Sequence, residues 1–508
     1  MSFKHSFKQS ISNPDEFTLT FELVPNRGGR GKAQNRILAL AKEAAADGRL
    51  HAVSITENAG GHPTLSPEVL GIEIQAMGLE VISHFSCKDK NRNQMESLLF
   101  GWDRIGLHNL LVLSGDYPQQ GYQGKPKPVF DLDSVQALDL ISQMNQGKTE
   151  CRPGTEQLEF QPTSFLKGVA VSPFKLMPQE LSLQYAKLHR KAAAGADYVI
   201  TQLGFDARKF QEILLYMDRH DLKLPVLGNV FIPNLAVTEI MYRGGVPGCI
   251  IPEELYHQIQ HEAGTVDRGK KARLVRAAKL MAIMKGLGYA GAHIGGPGIT
   301  FQDLELVINE ARAMESSWQD LLPDLSYWPA NGCYFFQKDP DTGLNLVEPR
   351  KITSGLTKKA AVSYSISDWV HQTFFEPAGP LYSQAGKACL ALERAGHDKL
   401  LAQVEHLIKL AMFGCLNCGD CRLADLAYLC PQAGCAKYML NGACGGSLNG
   451  WCEVYPGRKR CFWVMVYDRL KACSRDDVLQ TDFLPPRDWA LNNTSSWLNF
   501  FKSERDKK

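Results

Sequence analysis

TLTFELVP (residues 18–25) decides the fold: a run of β-branched, aromatic and aliphatic residues broken near its end by the single carboxylate of Glu22. Seven further runs share that grammar: HAVSITEN (51–58), LEVISHFSC (79–87), NLLVLSGDYP (109–118), FLKGVAVSP (165–173), YVITQLGF (198–205), LPVLGNVF (224–231) and YAGAHIGG (289–296). Between them lie amphipathic stretches such as residues 35–46, 93–105, 181–194 and 271–287, so strand and helix alternate and the sheet is parallel. Eight such units predict an α/β fold of the closed (β/α)8 kind, a TIM barrel, over residues 1–312. The competing open, doubly wound sheet lacks its usual mark, since no strand is followed by G-x-G-x-x-G. GGRGK (28–32) has neither the spacing nor the hydroxyl of a phosphate-binding loop.

In a barrel of this kind chemistry belongs at the C-terminal ends of the strands, and there the apolar runs carry Glu22, Thr56, His84, Asp116, Gln202, Asn229 and His293. Each has a plain structural reading. A histidine satisfied in the interior, or an asparagine bonded to a loop carbonyl, needs no function. The carboxylates are harder to explain that way, because burying Glu22 or Asp116 among Phe, Leu and Val costs several kcal/mol unless the group is paired or neutralised. A carboxyl in such a place is expected to have a raised pKa and to be a natural acid or base.

Eight of the fourteen cysteines fall in a second pattern, C-x2-C-x2-C-x8-C-P-x3-C-x8-C-x7-C-x8-C, made by Cys415, Cys418, Cys421, Cys430, Cys435, Cys444, Cys452 and Cys461. Three thiols on one short stretch suit iron–sulfur ligation, and Cys430 followed by Pro431 resembles the closing element of such motifs. The donors equally suit zinc, and the spacing does not say whether there are one or two [4Fe-4S] clusters. A disulfide scaffold is the rival explanation. MSFKHSFKQSISNPDEF lacks the apolar core and cleavage site of a secretory signal, which predicts a cytoplasmic protein whose clustered thiols bind metal rather than cross-link. Cys87, Cys151, Cys249, Cys333, Cys389 and Cys473 are expected as free thiols.

With 508 residues at 44% hydrophobic, the chain has material for two or three cores. A formal charge of +2 with the signs interspersed gives no nucleic-acid footprint, and Arg27, Arg30 and Lys32 are too few to make one. The longest apolar runs fall short of the roughly twenty residues a membrane span needs. Residues 313–331 are expected as a linker, 332–490 as a mainly helical, cysteine-rich metal-binding domain, and 491–508 as a polar, frayed tail. Insertions at 119–131 and 146–162 are candidate lids over the barrel mouth, or simply mobile connections.

FELVP (21–25), VSIT (53–56), HFSC (84–87), LSGDYP (113–118) and AGAD (194–197) followed by ITQ (200–202) occur in an order and spacing that resemble methylenetetrahydrofolate reductase. The resemblance covers residues 10–310. The cysteine-rich remainder is similar to the partner protein that accompanies this reductase in some anaerobic bacteria. It implies a flavin enzyme, with FAD or FMN, that reduces 5,10-methylenetetrahydrofolate to 5-methyltetrahydrofolate in one-carbon and methionine metabolism, the flavin carrying the hydride. By the same resemblance Glu22 is the general acid toward N10 of the folate, Asp116 holds the pterin edge and tunes the flavin, and Gln202 grips the folate. Thr56, His84, Ser114, Gly115, Asp116, Arg190 and Lys191 line the flavin, with the two cations suited to its phosphates.

This chain departs from the family pattern at several of these places. Ser114 stands where arginine is usual, Leu235 where an aromatic residue stacks on nicotinamide or folate, and Gln184 and Lys187 where Asp and Asn accompany the cation pair. The departures open a second electron route beside NAD(P)H, through the clusters from a ferredoxin-like or oxidoreductase partner. Other readings of the sequence are a flavin-free folate-binding barrel methyltransferase and a non-catalytic scaffold that docks a redox partner. A homo-oligomer is compatible with all of them.

Overall fold

The computed structural model describes residues 5–149, 158–351, 358–481 and 483–506. Cys151 and part of the second insertion lie outside the described residues. All eight expected strands form: β1 Thr18–Leu23, β2 Ala52–Ile55, β3 Glu80–Ser86, β4 Asn109–Leu113, β5 Leu166–Val171, β6 Tyr198–Thr201, β7 Val226–Phe231 and β8 Gly291–Gly295. Every neighbouring pair is parallel and β8 closes onto β1, with Thr20 beside His293.

Alternation along each strand sorts its side chains. Leu19, Phe21 and Leu23 of β1, Val53 and Ile55 of β2, and Val81 and Phe85 of β3 join the large core between sheet and helices. The opposite set points inward. Ala52, Ile82, Leu111, Leu166, Tyr198, Ile200 and Leu227 fill the lower barrel, where Phe7 and Ile11 of the short N-terminal helix Phe7–Ile11 join the same cluster. Tyr198 is its central piece: its ring meets Phe7 edge-on at 5.4 Å and its hydroxyl donates to the Leu110 carbonyl at 2.8 Å. Gly168 opposite is required, because a Cβ there would stand 2.2 Å from the Tyr198 ring. One residue further along the inward set come Glu22, Ser54, Thr56, His84, Asn229 and His293. Apolar filling thus gives way to polar side chains toward the strand ends.

Helix boundaries follow capping chemistry. Asp133 and Gln136 form a capping box at the start of helix Ser134–Asn145, Thr300 and Asp303 another at Phe301–Met314, and helix Lys270–Leu287 stops at Gly288 with φ +91°.

The chain divides into two compact units: one of residues Met1–Lys351 with Cys444–Asn449, the other of Ile352–Ala443 with Gly450–Lys508. The stretch expected as a linker is instead bound to the barrel. Residues Glu315–Leu325 form 3-10 turns, Trp318 covers Gly286, and Leu325 is buried. Residues 332–351, expected with the cysteines, also belong to the barrel unit. Their hairpin, Phe336–Lys338 with Asn345–Pro349, is stapled by the fully buried Lys209–Glu212 ion pair. Lys209 donates to the Cys333 carbonyl at 3.1 Å, and Glu212 accepts from the Phe335 amide at 2.6 Å.

In the second unit the helical stretch ahead of the cysteines breaks at Gly396, φ +77°, into Tyr382–Arg394 and Asp398–Phe413. The tail expected to fray is a helix, Ser496–Asp506. Leu498 and Phe501 of that helix are buried against Cys389, with Trp497 and Phe500 beside them, because its aromatic residues return every three to four positions.

Candidate active site and thiol pocket

The inward-facing polar residues meet at the upper end of the barrel. Glu22 keeps 27% of its side chain open, and one carboxylate oxygen lies 3.9 Å from His293 Nε2. His293 is buried, and its Nδ1 shares a 2.8 Å hydrogen bond with the Thr20 hydroxyl, which fixes the ring so that Nε2 faces the carboxylate. Burial pushes the Glu22 carboxyl up, but the imidazole of His293 beside it, with a smaller contribution from His84, outweighs burial and holds the group below the usual carboxylate range. The expectation of a raised pKa is therefore corrected: β8 supplies a partner that no reading of β1 alone reveals. His84 is moved the other way. Burial lowers its imidazole to about 4, so it is neutral at physiological pH, and its Nε2 is buried without a hydrogen-bond partner.

Thr56 Oγ1, Ser172 Oγ and Asn229 Oδ1 are likewise buried and without partners. These atoms come from the end regions of different strands, and a ligand presenting donors and acceptors would satisfy them. Asp116 accepts from the Gly60 amide at 2.8 Å, which ties the loop after β4 to the loop after β2. That junction is tight: a Cβ on Gly115, whose φ is +84°, would stand 2.1 Å from Ser86 Oγ. Ser114 donates to Ser134 Oγ at 3.2 Å, so its hydroxyl serves the neighbouring helix start. Gln202 folds back to accept from the Leu203 amide at 2.9 Å, and Leu235 opens helix Leu235–Tyr242 against the cluster of Leu203, Phe231 and Met241.

In the second unit, Cys415, Cys418, Cys421 and Cys430 line one pocket together with His406 and Lys409. His406 Nδ1 and Arg422 Nε there are buried without hydrogen-bond partners. The backbone of this stretch turns through left-handed conformations at Asn417, Gly419, Ala427 and Tyr428, which side chains other than glycine rarely adopt. Cys435, Cys452 and Cys461 lie within electrostatic reach of one another, and Cys444 belongs to the stretch counted with the barrel unit. No three His, Cys, Asp or Glu side chains among the described residues converge on a single-ion site. The fit of the pocket to a cluster rests on its donors, four thiols on tightly turned backbone, since a cluster spreads its ligands over separate irons.

A family model described as methylenetetrahydrofolate reductase matches residues 6–290, more than half the chain. The chain belongs to the methylenetetrahydrofolate reductase family. A second model, described as the C terminal of methylene-tetrahydrofolate reductase, matches residues 394–490. Among curated relatives, the 5,10-methylenetetrahydrofolate reductase of Pectobacterium carotovorum is 28% identical over 170 residues, 33% of this chain and 48% of that protein. Its namesake in Salmonella typhimurium is 24% identical over 227 residues, 43% of this chain and 67% of that protein. The match thus spans about half the length of the first relative. A solved structure from Clostridium thermocellum, described as an uncharacterized protein that binds two copies of 5-methyl-5,6,7,8-tetrahydrofolic acid, aligns with TM-score 0.43 at 13% identity, covering 61% of this chain and 99% of that one.

Helix Pro178–Ala193 carries the two cations singled out in the sequence. Arg190 and Lys191 are buried, and so is Lys187. Burial, with the Lys187 charge beside it, lowers the Lys191 ammonium to about 7, and its Nζ donates to the Ala170 carbonyl at 2.6 Å. Lys187 was read from sequence only as a departure from the family pattern. The partnership of Glu22 with His293 left no trace in the sequence, which placed both residues in the ring without pairing them. Two other thiols near the site are inert: burial pushes Cys87 and Cys249 up to about 12. No helix among the described residues is long and apolar enough to cross a membrane.

Proposed function

We propose that this protein reduces 5,10-methylenetetrahydrofolate to 5-methyltetrahydrofolate at a flavin seated in the barrel mouth. The observation that carries the reading is the Glu22–His293 pair at 3.9 Å, set among the partnerless Thr56 Oγ1, His84 Nε2 and Asn229 Oδ1. Bound there, the flavin supplies the hydride. Thr56 and His84 offer it polar contacts, and Lys187, Arg190 and Lys191 suit its phosphates, whether FMN or FAD. Glu22 delivers a proton from its carboxyl oxygen to N10 of the folate as the five-membered ring opens. The carboxyl does not act alone. His293 Nε2 faces it at 3.9 Å, and the Thr20 hydroxyl holds that ring in place. Asp116, anchored by the Gly60 amide, accepts from the amino edge of the pterin, and the Gln202 carboxamide and the Leu235 side chain bound the folate. Glu22→Gln is expected to keep the flavin bound and reducible by dithionite while folate reduction falls by about 10²–10⁴-fold. Retained turnover removes Glu22 from the mechanism.

The thiol pocket supports a second element of the reading, in which Cys415, Cys418, Cys421 and Cys430 hold one [4Fe-4S] cluster. Cys435, Cys452 and Cys461, within electrostatic reach of one another, are donors for a second centre. Electrons from a ferredoxin-like or oxidoreductase partner then enter through these centres, as an alternative to NAD(P)H. Iron and zinc analysis of anaerobically purified protein separates clusters from zinc. Prompt flavin reduction by NADH in a Cys415→Ala, Cys418→Ala variant would exclude an obligatory cluster route.

A further inference from the structure

Lys409 stands on helix Asp398–Phe413 with its side chain only 10% exposed, and its three ammonium protons have three acceptors. Nζ lies 2.7 Å from Glu405 Oε1, 2.7 Å from Ser496 Oγ and 3.5 Å from Cys421 Sγ. Glu405, one turn earlier and just as buried, is fixed from its other side. It accepts from Ser495 Oγ at 2.6 Å, Ser496 Oγ at 2.5 Å and the Trp497 amide at 3.2 Å, all at the start of helix Ser496–Asp506. The Trp497 ring lies 5.5 Å from the ammonium. A buried ion pair is a poor source of net stability, since desolvation offsets most of its Coulombic gain. This one has a directional feature that stability does not need. Two protons are committed to Glu405 and Ser496, and the third is aimed at one thiol of the pocket.

We propose that Lys409 is a positioning residue that sets the reduction potential of the cluster held by Cys415, Cys418, Cys421 and Cys430, an inference that rests on the cluster reading above. Reduction adds one electron to the cluster, and no bond in the protein forms or breaks. The added negative charge spreads onto the ligating sulfurs, where a charge-assisted N–H···S contact stabilises it and raises the potential. Glu405 aims the ammonium, and the C-terminal helix locks Glu405. Through Ser495 and Ser496 the C-terminal helix thereby bears on the surroundings of the thiol pocket.

The test is an anaerobic dithionite titration of the full chain followed by electron paramagnetic resonance. The relevant signal is identified as the one lost in the Cys415→Ala, Cys418→Ala variant. Lys409→Gln is compared with Glu405→Gln/Lys409→Met, which leaves no lone charge buried, and with Lys409→Arg. The first two are expected to retain iron and become harder to reduce by at least about tenfold in the reduction equilibrium, a downward shift of about 59 mV for a one-electron couple, while Lys409→Arg stays near the parent. Full iron content with an unchanged potential in both neutral variants would overturn the proposal and leave the cluster reading intact. Iron lost from both assigns the pair to building the site and also overturns it. A parent protein that takes up zinc and no iron sinks the cluster reading, and the tuning role with it.

Discussion

The Glu22 carboxylate of the first strand and the His293 imidazole of the eighth, 271 positions later, face each other at 3.9 Å across the seam that closes the barrel. The acid of the proposed reaction is therefore governed by its neighbour as much as by its own burial.

Replacing His293 with Leu removes the main partner that holds the Glu22 carboxyl down and leaves burial, which acts upward, opposed only by His84. A reaction that needs the protonated acid loses kcat/KM as pH rises through that pKa. The basic limb of the kcat/KM profile is therefore expected to move to higher pH in His293→Leu. Thr20→Val, which only frees Nδ1, should move it less. An unmoved limb in both variants separates Glu22 from His293 functionally.

Stability in acid should report on His84. Its imidazole is held at about 4 in the folded protein against about 6.5 in the unfolded chain. Above pH 6.5 both states are neutral. Between 6.5 and 4 only the unfolded chain takes up the proton, so stability falls as pH drops, by up to roughly 3 kcal/mol. Denaturant titrations of His84→Gln across this window are expected to show a shallower decline than those of the parent.

Gly115→Ala places a methyl group 2.1 Å from Ser86 Oγ at a φ of +84°, both of which the native turn forbids. A loss of roughly 1–3 kcal/mol is expected by chemical denaturation, with weaker flavin loading, because the turn also positions Asp116. Ser86→Gly in the same chain should restore part of the stability. It relieves the clash but not the backbone strain.

Lys209→Met leaves Glu212 buried without its cation while the carboxylate still serves the Phe335 amide and the Tyr185 hydroxyl, 2.8 Å away. The expected cost is roughly 3–5 kcal/mol. Cutting the chain after residue 331 removes the same hairpin, so the shortened barrel should melt well below one that ends at residue 351. Equal melting temperatures would show that residues 332–351 add nothing to the stability of the barrel.

Much of the fold could be read from the chain. Alternation along TLTFELVP and its seven counterparts marks the strands, and their polar ends mark the mouth, because side-chain direction in a strand is set by the backbone two residues at a time. The site was legible as a ring of candidates but not as a circuit. Glu22 stands in the inward set that its alternation predicts, whereas the direction of its pKa shift depends on a histidine brought alongside only by closure. Residues 313–331 and the tail were misjudged for a related reason: Trp318, Leu325, Leu498 and Phe501 look like isolated hydrophobic residues until the surfaces that bury them are assembled.

What depends on near neighbours was thus legible along the chain: eight strand–helix units, the polar residues at their ends, and a run of eight closely spaced cysteines. Tertiary structure alone decided what depends on distance through space. It paired Glu22 with His293, fastened residues 332–351 to the barrel through Lys209 and Glu212, gathered four of the thiols around one pocket, and turned Lys409 toward Cys421. The physical reason is that hydrophobic periodicity is a local property of the chain, whereas electrostatic partners and burial exist only once remote segments have met.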